Sequence, residues 1–130
     1  MIVLANGCFD LLHYGHLLHL EAAKRMGAVL VVSITDDAHV FKGPGRPIYK
    51  DWQRAALVNG LRCVDRVIIV SSLTEALKRV APDILVKGVD YKDGLEEEHE
   101  KYCKEHYISI KFTKTPKLSA TDMINESLGR

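Results

Sequence analysis

Asn6-Gly7-Cys8-Phe9-Asp10-Leu11-Leu12-His13-Tyr14-Gly15-His16 is the stretch whose reading decides how this 130-residue chain folds. Before it, Ile2-Val3-Leu4-Ala5 is an apolar run that predicts a first strand. After it, Leu17 to Met26 predicts a helix closed by Gly27. Ligands of an open α/β sheet bind at such a junction, because helix N-terminal N–H groups face whatever lies beyond the strand's carboxyl end. His13 and His16 are three apart and fall on one side of a first helical turn. Two imidazoles there can donate to phosphate oxygens as charge builds up in a transition state. Gly15, between them, lets another group approach the backbone. In isolation the two histidines read equally as ordinary polar residues of a helix start. With His19 they also permit a metal site, against which stands the lack of a carboxylate or cysteine at ligand spacing nearby. Asp10 either caps the helix or meets a substrate.

Downstream, Ala28 to Ile34 is a continuous apolar run, as expected of a strand buried on both faces. It ends at Thr35-Asp36-Asp37, where Asp36 caps a short helix or faces a ligand. Lys42-Gly43-Pro44-Gly45-Arg46-Pro47 is a loop carrying two cations. Asp51 is placed to cap a helix running to Gly60. Arg66 to Val70 predicts a third strand. Ser72 and Glu75 have the capping-box spacing of another helix, which Pro82 stops. Asp83 to Lys87 predicts a fourth strand ending at Gly88. Leu95 to Tyr107 predicts a charged, solvated helix. Ile108 to Phe112 alternates, as a sheet edge should. Thr113 to Lys117 is a loop, and Ser119-Ala120-Thr121-Asp122 opens a last helix. This alternation predicts one α/β domain over residues 1–130. Its architecture is a Rossmann-like, doubly wound, five-stranded parallel sheet with helices on both faces and right-handed crossovers.

In such a sheet every strand-to-helix loop opens on one edge. His13 and His16, then Asp36, Lys42 and Arg46, then Lys87, Gly88 and Asp90, then Lys114, Ser119 and Thr121 are expected to converge there. Cations, imidazoles and a helix N-terminus around one pocket suit a polyphosphate. Such an anion site must be local, because charged residues make up 27% of the chain and leave a net charge of only +1. That balance gives no global pull toward nucleic acid or membrane. Three scattered cysteines, Cys8, Cys63 and Cys103, argue against a disulfide framework and for a reducing compartment. Neither a signal peptide nor an apolar run of membrane-spanning length is visible, so a cytoplasmic protein is expected. Cys8 lacks an obvious histidine base, which argues against a nucleophilic role.

The chain resembles the cytidylyltransferase-like nucleotidyltransferases through Gly7-Cys8-Phe9-Asp10-Leu11-Leu12-His13-Tyr14-Gly15-His16, which matches their G-x-F-D-x-x-H-x-G-H signature. Lys42-Gly43-Pro44-Gly45-Arg46-Pro47-Ile48 and Asp83 to Tyr91 look like segments of the heptose 1-phosphate adenylyltransferase branch. The resemblance implies an enzyme joining an NTP to a phosphorylated sugar or alcohol with release of pyrophosphate, using Mg²⁺ brought with the nucleotide. It implies catalytic roles for His13, His16 and Lys42. It implies nucleotide contacts from Gly7, Cys8, Phe9, Gly15, Arg54, Lys87, Gly88, Asp90, Ser119 and Thr121, and substrate contacts from Asp10, Asp36 and Arg46. ATP with a heptose-like sugar 1-phosphate is the first expectation. CTP with a small phosphorylated alcohol such as glycerol 3-phosphate is the alternative, and a non-catalytic nucleotide-binding module is the third. A homodimer is expected from the resemblance, with Trp52 and Leu57 as packing or dimer contacts. Two departures stand out: Ala120 replaces a hydroxyl residue of the C-terminal motif, and Glu96 to Phe112 does not match the heptose enzymes.

Overall fold

Among the described residues five strands and four helices alternate: β1 (Ile2–Gly7), α1 (Tyr14–Lys24), β2 (Val29–Thr35), α2 (Asp51–Asn59), β3 (Arg66–Val70), α3 (Leu73–Val80), β4 (Ile84–Lys87), α4 (Glu97–Glu105) and β5 (Ser109–Phe112). A single 3-10 turn, Asp37–His39, follows β2. The computed structural model describes residues 1–41, 43–88 and 96–114. The expected last helix, and with it Ser119, Ala120 and Thr121, lies outside the described residues, as do Lys42 and Asp90.

The strands form one parallel sheet in the order β3-β2-β1-β4-β5. β1 is therefore central, with β2 on one side and β4 on the other. The chain winds outward from it in both directions, which puts the switch point, and the crevice of a doubly wound sheet, at the carboxyl ends of β1 and β4.

Alternating side chains explain the two faces. Val3, Ala5, Leu30, Val32, Ile34 and Val86 pack with Leu20 and Ala23 of α1 and Val58 of α2. Leu4, Val31 and Leu85 point the other way and pack with Leu73, Ala76 and Leu77 of α3 and Cys103 of α4. Burial of each such Leu, Ile or Val contributes roughly 1.5–3 kcal/mol. The anchoring of β1 thus comes from both layers, which holds the turn after Gly7 rigid. β5 alternates between exposed and half-buried residues, as the edge expectation requires.

Local boundaries differ from expectation at three places. α1 begins at Tyr14, three residues before Leu17, because the His13 side chain accepts the Gly15 N–H and caps the helix there. Asp51 is the first residue inside α2 and not its cap; its carboxylate instead accepts the Asp37 N–H at 3.2 Å. Ser72 does cap α3 through the Glu75 N–H, but Glu75 reaches past it to the N–H and hydroxyl of Ser71. α3 stops ahead of Pro82 as expected, through Ala81 in the left-handed conformation at φ 48°.

Candidate active site

Beyond β1 the chain reverses through Phe9, a bulky residue at φ 50°. Such a conformation is uncommon for a non-glycine residue and persists only where surroundings enforce it. Here the enforcement is visible: the Phe9 ring is buried in the core and meets the His16 ring edge-on, centroids 5.1 Å apart. It also lies over Gly7, where an added Cβ would come within 2.7 Å of the ring. Gly7 and Phe9 thus fit each other. The Phe9 side chain is a core residue that buttresses His16, which leaves only its backbone for the expected nucleotide contact.

His13 and His16 are stacked, with centroids 3.9 Å apart and planes at 22°. His13 Nδ1 accepts the Gly15 N–H at 3.1 Å, and His16 Nδ1 accepts the His13 N–H at 3.2 Å. Both Nδ1 lone pairs are therefore used, and in the neutral rings both protons sit on Nε2. Burial holds the His13 imidazole below its ordinary value, which favours that neutral form. The pair is a capping box built of imidazoles at a helix N-terminus.

Asp10 does not cap α1. Its side chain is 1% exposed. It accepts the N–H groups of Ile48 and Tyr49, at 2.8 and 3.1 Å to Oδ1, and pairs with the Arg46 guanidinium. Burial alone would raise its pKa, but the two N–H donors and Arg46 outweigh burial and hold the carboxyl below the usual carboxylate range. The expected substrate contacts of Asp10 and Arg46 thus take a different form: the two side chains fasten the loop before α2 onto the β1 turn.

Arg54 departs furthest from expectation. It is fully buried, at 0% exposure. Nη1 donates to the carbonyls of Cys8 and Thr35 at 2.8 and 2.7 Å, Nε donates to the Tyr49 carbonyl at 3.0 Å, and Nη2 donates to Asp37 at 2.8 Å. A guanidinium is suited to this, with five donors in a fixed fork. Arg54 gathers the ends of β1 and β2 and the loop before α2 into one support, where the sequence predicted a phosphate contact. Cys8 takes part through its carbonyl, and its sulfur lies 3.8 Å from Arg54 Nη1. Asp36 caps the 3-10 turn, accepting the His39 N–H at 3.0 Å and pairing with the His39 ring at 2.6 Å. That is one of its two expected roles.

On the other side of β1, Lys87 closes β4 and is 8% exposed. Burial pulls its ammonium down to about 8, with the Glu96 carboxylate pulling the other way. Among the described residues nothing lies within 4 Å of a Cβ added at Gly88. Sequence reasoning missed the neighbours of Lys87: His19 Nδ1 lies 2.7 Å from Thr113 Oγ1, just past β5. The signal was the spacing, since His19 continues the row of His13 and His16 at i+3.

A helix-capping imidazole pair at the switch point of a doubly wound parallel sheet defines an α/β nucleotide-site domain. The model of the cytidylyltransferase-like family matches residues 4–126, and the chain belongs to that family. It is 48% identical over 98 residues to the bifunctional protein HldE of Campylobacter jejuni strain RM1221, covering 72% of this chain and 21% of that protein. It is 50% identical over 95 residues to bifunctional protein HldE of Nitratiruptor sp., covering 70% and 21%. The chain thus spans about a fifth of the length of these relatives. Among solved structures, a lipopolysaccharide core biosynthesis protein from Thermoplasma volcanium superposes with a TM-score of 0.74 at 30% identity, over 92% of this chain and 98% of that one. Pantothenate synthetase from Thermus thermophilus shares the fold at a TM-score of 0.62 and 18% identity, over 93% of this chain and 57% of that one.

Proposed function

We propose that this nucleotidyltransferase-like domain transfers AMP from ATP to a heptose-like sugar 1-phosphate and releases pyrophosphate. The observation that carries the transfer chemistry is the commitment of both Nδ1 atoms of His13 and His16 to backbone N–H groups, which fixes the stacked pair at a helix N-terminus with its protons on Nε2. An acceptor phosphate oxygen attacks the α-phosphorus in line; the new P–O bond forms as the bond to the leaving pyrophosphate breaks. The donors stabilise charge on the phosphoryl oxygens, which is most of what such a reaction asks of protein. Lys42, Ser119 and Thr121 complete the phosphate contacts in this proposal, and Asp90 adds to the nucleotide site. Mg²⁺ would come with the nucleotide and would supply charge neutralisation at its phosphates. The described turn offers imidazole donors and a carboxylate already bound to Arg46, a set suited to a metal carried by substrate.

The adenylyl and heptose assignments rest on the Lys42–Ile48 and Asp83–Tyr91 segments and on the likeness to the HldE proteins. Pyrophosphate release from purified protein with Mg²⁺, each NTP and a panel of sugar phosphates and glycerol 3-phosphate tests them. Turnover with ATP and a sugar 1-phosphate is expected; turnover with CTP and not ATP overturns the adenylyl assignment. Nucleotide binding without pyrophosphate release from any acceptor would favour the non-catalytic module. We further propose a cytoplasmic homodimer. Among the described residues no helix is long and apolar enough to cross a membrane. Trp52 is 64% exposed on α2, with Leu57 and Ile48 also exposed, which leaves them for a partner and not for internal packing.

A further inference from the structure

Asn6 of β1 and Ser33 of β2 interrupt two apolar strands at one level of the sheet, as register partners. Alternation puts both on the α3 and α4 side, in line with Leu4 and Val31. Ser33 is fully buried, and its hydroxyl donates to Asn6 Oδ1 at 2.7 Å. Asn6 is half-buried and stands one residue before Gly7, at the crevice.

Neither residue suits its place by propensity or burial. Asparagine is a poor strand former, and a buried hydroxyl is costly unless hydrogen-bonded. Two apolar residues of similar shape could replace the pair at little cost to stability. What the pair does is fix a carboxamide. An asparagine side chain has one acceptor oxygen and two N–H donors. Ser33 engages the oxygen, and among the described residues the Nδ2 donors have no partner. Donors held in one orientation at a strand end are preorganised for an acceptor atom of a ligand.

The face on which Asn6 stands decides which ligand it meets. α1, whose first turn carries the His13–His16 pair, packs on the Val3 and Ala5 face, and Asn6 opens on the other. In-line transfer puts the entering oxygen and the leaving pyrophosphate on opposite sides of the α-phosphorus. A nucleotide held by the histidine pair then takes its acceptor from the Asn6 side. We propose that Asn6 donates through Nδ2 to a hydroxyl of a sugar phosphate acceptor and so favours polyhydroxyl acceptors, with Ser33 as its positioning residue. This assignment rests on the nucleotidyltransferase reading.

Calorimetric titration of wild type, Ser33→Ala and the double variant Asn6→Leu/Ser33→Ala tests it. The double variant removes both partners of the bond, so neither is stranded. Each protein is titrated with α,β-methylene ATP and Mg²⁺. The nucleotide-saturated protein is then titrated with a set of hexose and heptose 1-phosphates and with inorganic phosphate. The double variant is expected to lose roughly tenfold in sugar phosphate affinity and Ser33→Ala less, with nucleotide and inorganic phosphate bound as by wild type. A loss for the nucleotide, or equal losses for sugar phosphate and inorganic phosphate, overturns the hydroxyl contact. So does unchanged sugar phosphate affinity in both variants, or a wild type that binds no sugar phosphate. Should the double variant fail to fold, Ser33→Ala decides alone: weaker sugar phosphate binding with unchanged nucleotide binding supports the contact, and unchanged binding overturns it. Failure of the transferase reading looks different: the variants lose sugar phosphate affinity as expected, yet wild type never releases pyrophosphate from ATP.

Discussion

His16 shows how much of a histidine's chemistry is set by its hydrogen bonding. Its Nδ1 accepts the His13 N–H and its ring is braced by Phe9, so the ring is held in one orientation. Replacing His16 by alanine is expected to lower pyrophosphate release on the order of 10²-fold or more. Circular dichroism should remain that of the wild type. The imidazoles also set an acid limit on stability. His13 and His19 both have folded pKa values below 6.5. The unfolded chain then binds more protons than the native one just below that pH, and stability falls on acidification through that window. Melting temperature should drop as the pH falls below about 6.5, and His19→Gln should lessen the drop. For Asp10 the sign is set by a lowered carboxyl pKa: its stabilisation is present above about pH 3.8 and lost below. Asp10→Ala, which strands the N–H groups of Ile48 and Tyr49 and unpairs Arg46, is expected to cost about 3–5 kcal/mol in denaturant unfolding.

Elements were legible where apolar period alone decided them and illegible where a side chain's partner did. All five strands, and α2 through α4, were readable within a few residues from runs such as Ala28 to Ile34 and from stops such as Pro82. The start of α1 was not, because histidine is an unusual cap and nothing in its spacing reveals that its Nδ1 will take the Gly15 N–H. The supporting bonds of Arg54 were hidden for a related reason. A lone arginine on a helix reads as a solvent or ligand contact, and only the folded chain shows three carbonyls converging on it. Arg54→Met should therefore destabilise by roughly 3–5 kcal/mol, by leaving Asp37 and three carbonyls without their donor. A melting curve measured without ligand would show it, which a pure ligand contact would not. In the opposite direction, Ala81→Gly relieves a left-handed C-cap of α3 and should raise stability by up to about 1 kcal/mol.

For the whole molecule, strand–helix alternation was enough to predict a parallel doubly wound sheet, and the order β3-β2-β1-β4-β5 accordingly puts the β1 turn at the switch point. What alternation could not supply was the division of labour on that edge. The β2 side, with Asp10, Arg46, Arg54 and Asp37, became scaffolding; the β4 side, with Lys87, became a buried polar cluster. Pairwise contacts over such sequence separations, 46 residues from Arg54 to Cys8 and 94 from His19 to Thr113, are not written in local pattern. The expected dimer belongs to this scale too: light scattering should give twice the monomer mass, and Trp52→Ser should shift it toward 14.6 kDa.

The twin Nδ1 bonds of His13 and His16 have one more effect, on what the turn refuses. With each lone pair engaged by backbone and each proton on Nε2, neither ring can take a proton from an attacking group or grip a transition metal without breaking the cap of α1. On the proposed function the nucleophile would then arrive already ionised, which a phosphate monoester does near neutral pH, its second pKa being about 6. A site built on this proposal would select acceptors by their acidity, since a plain alcohol would find no base in either ring.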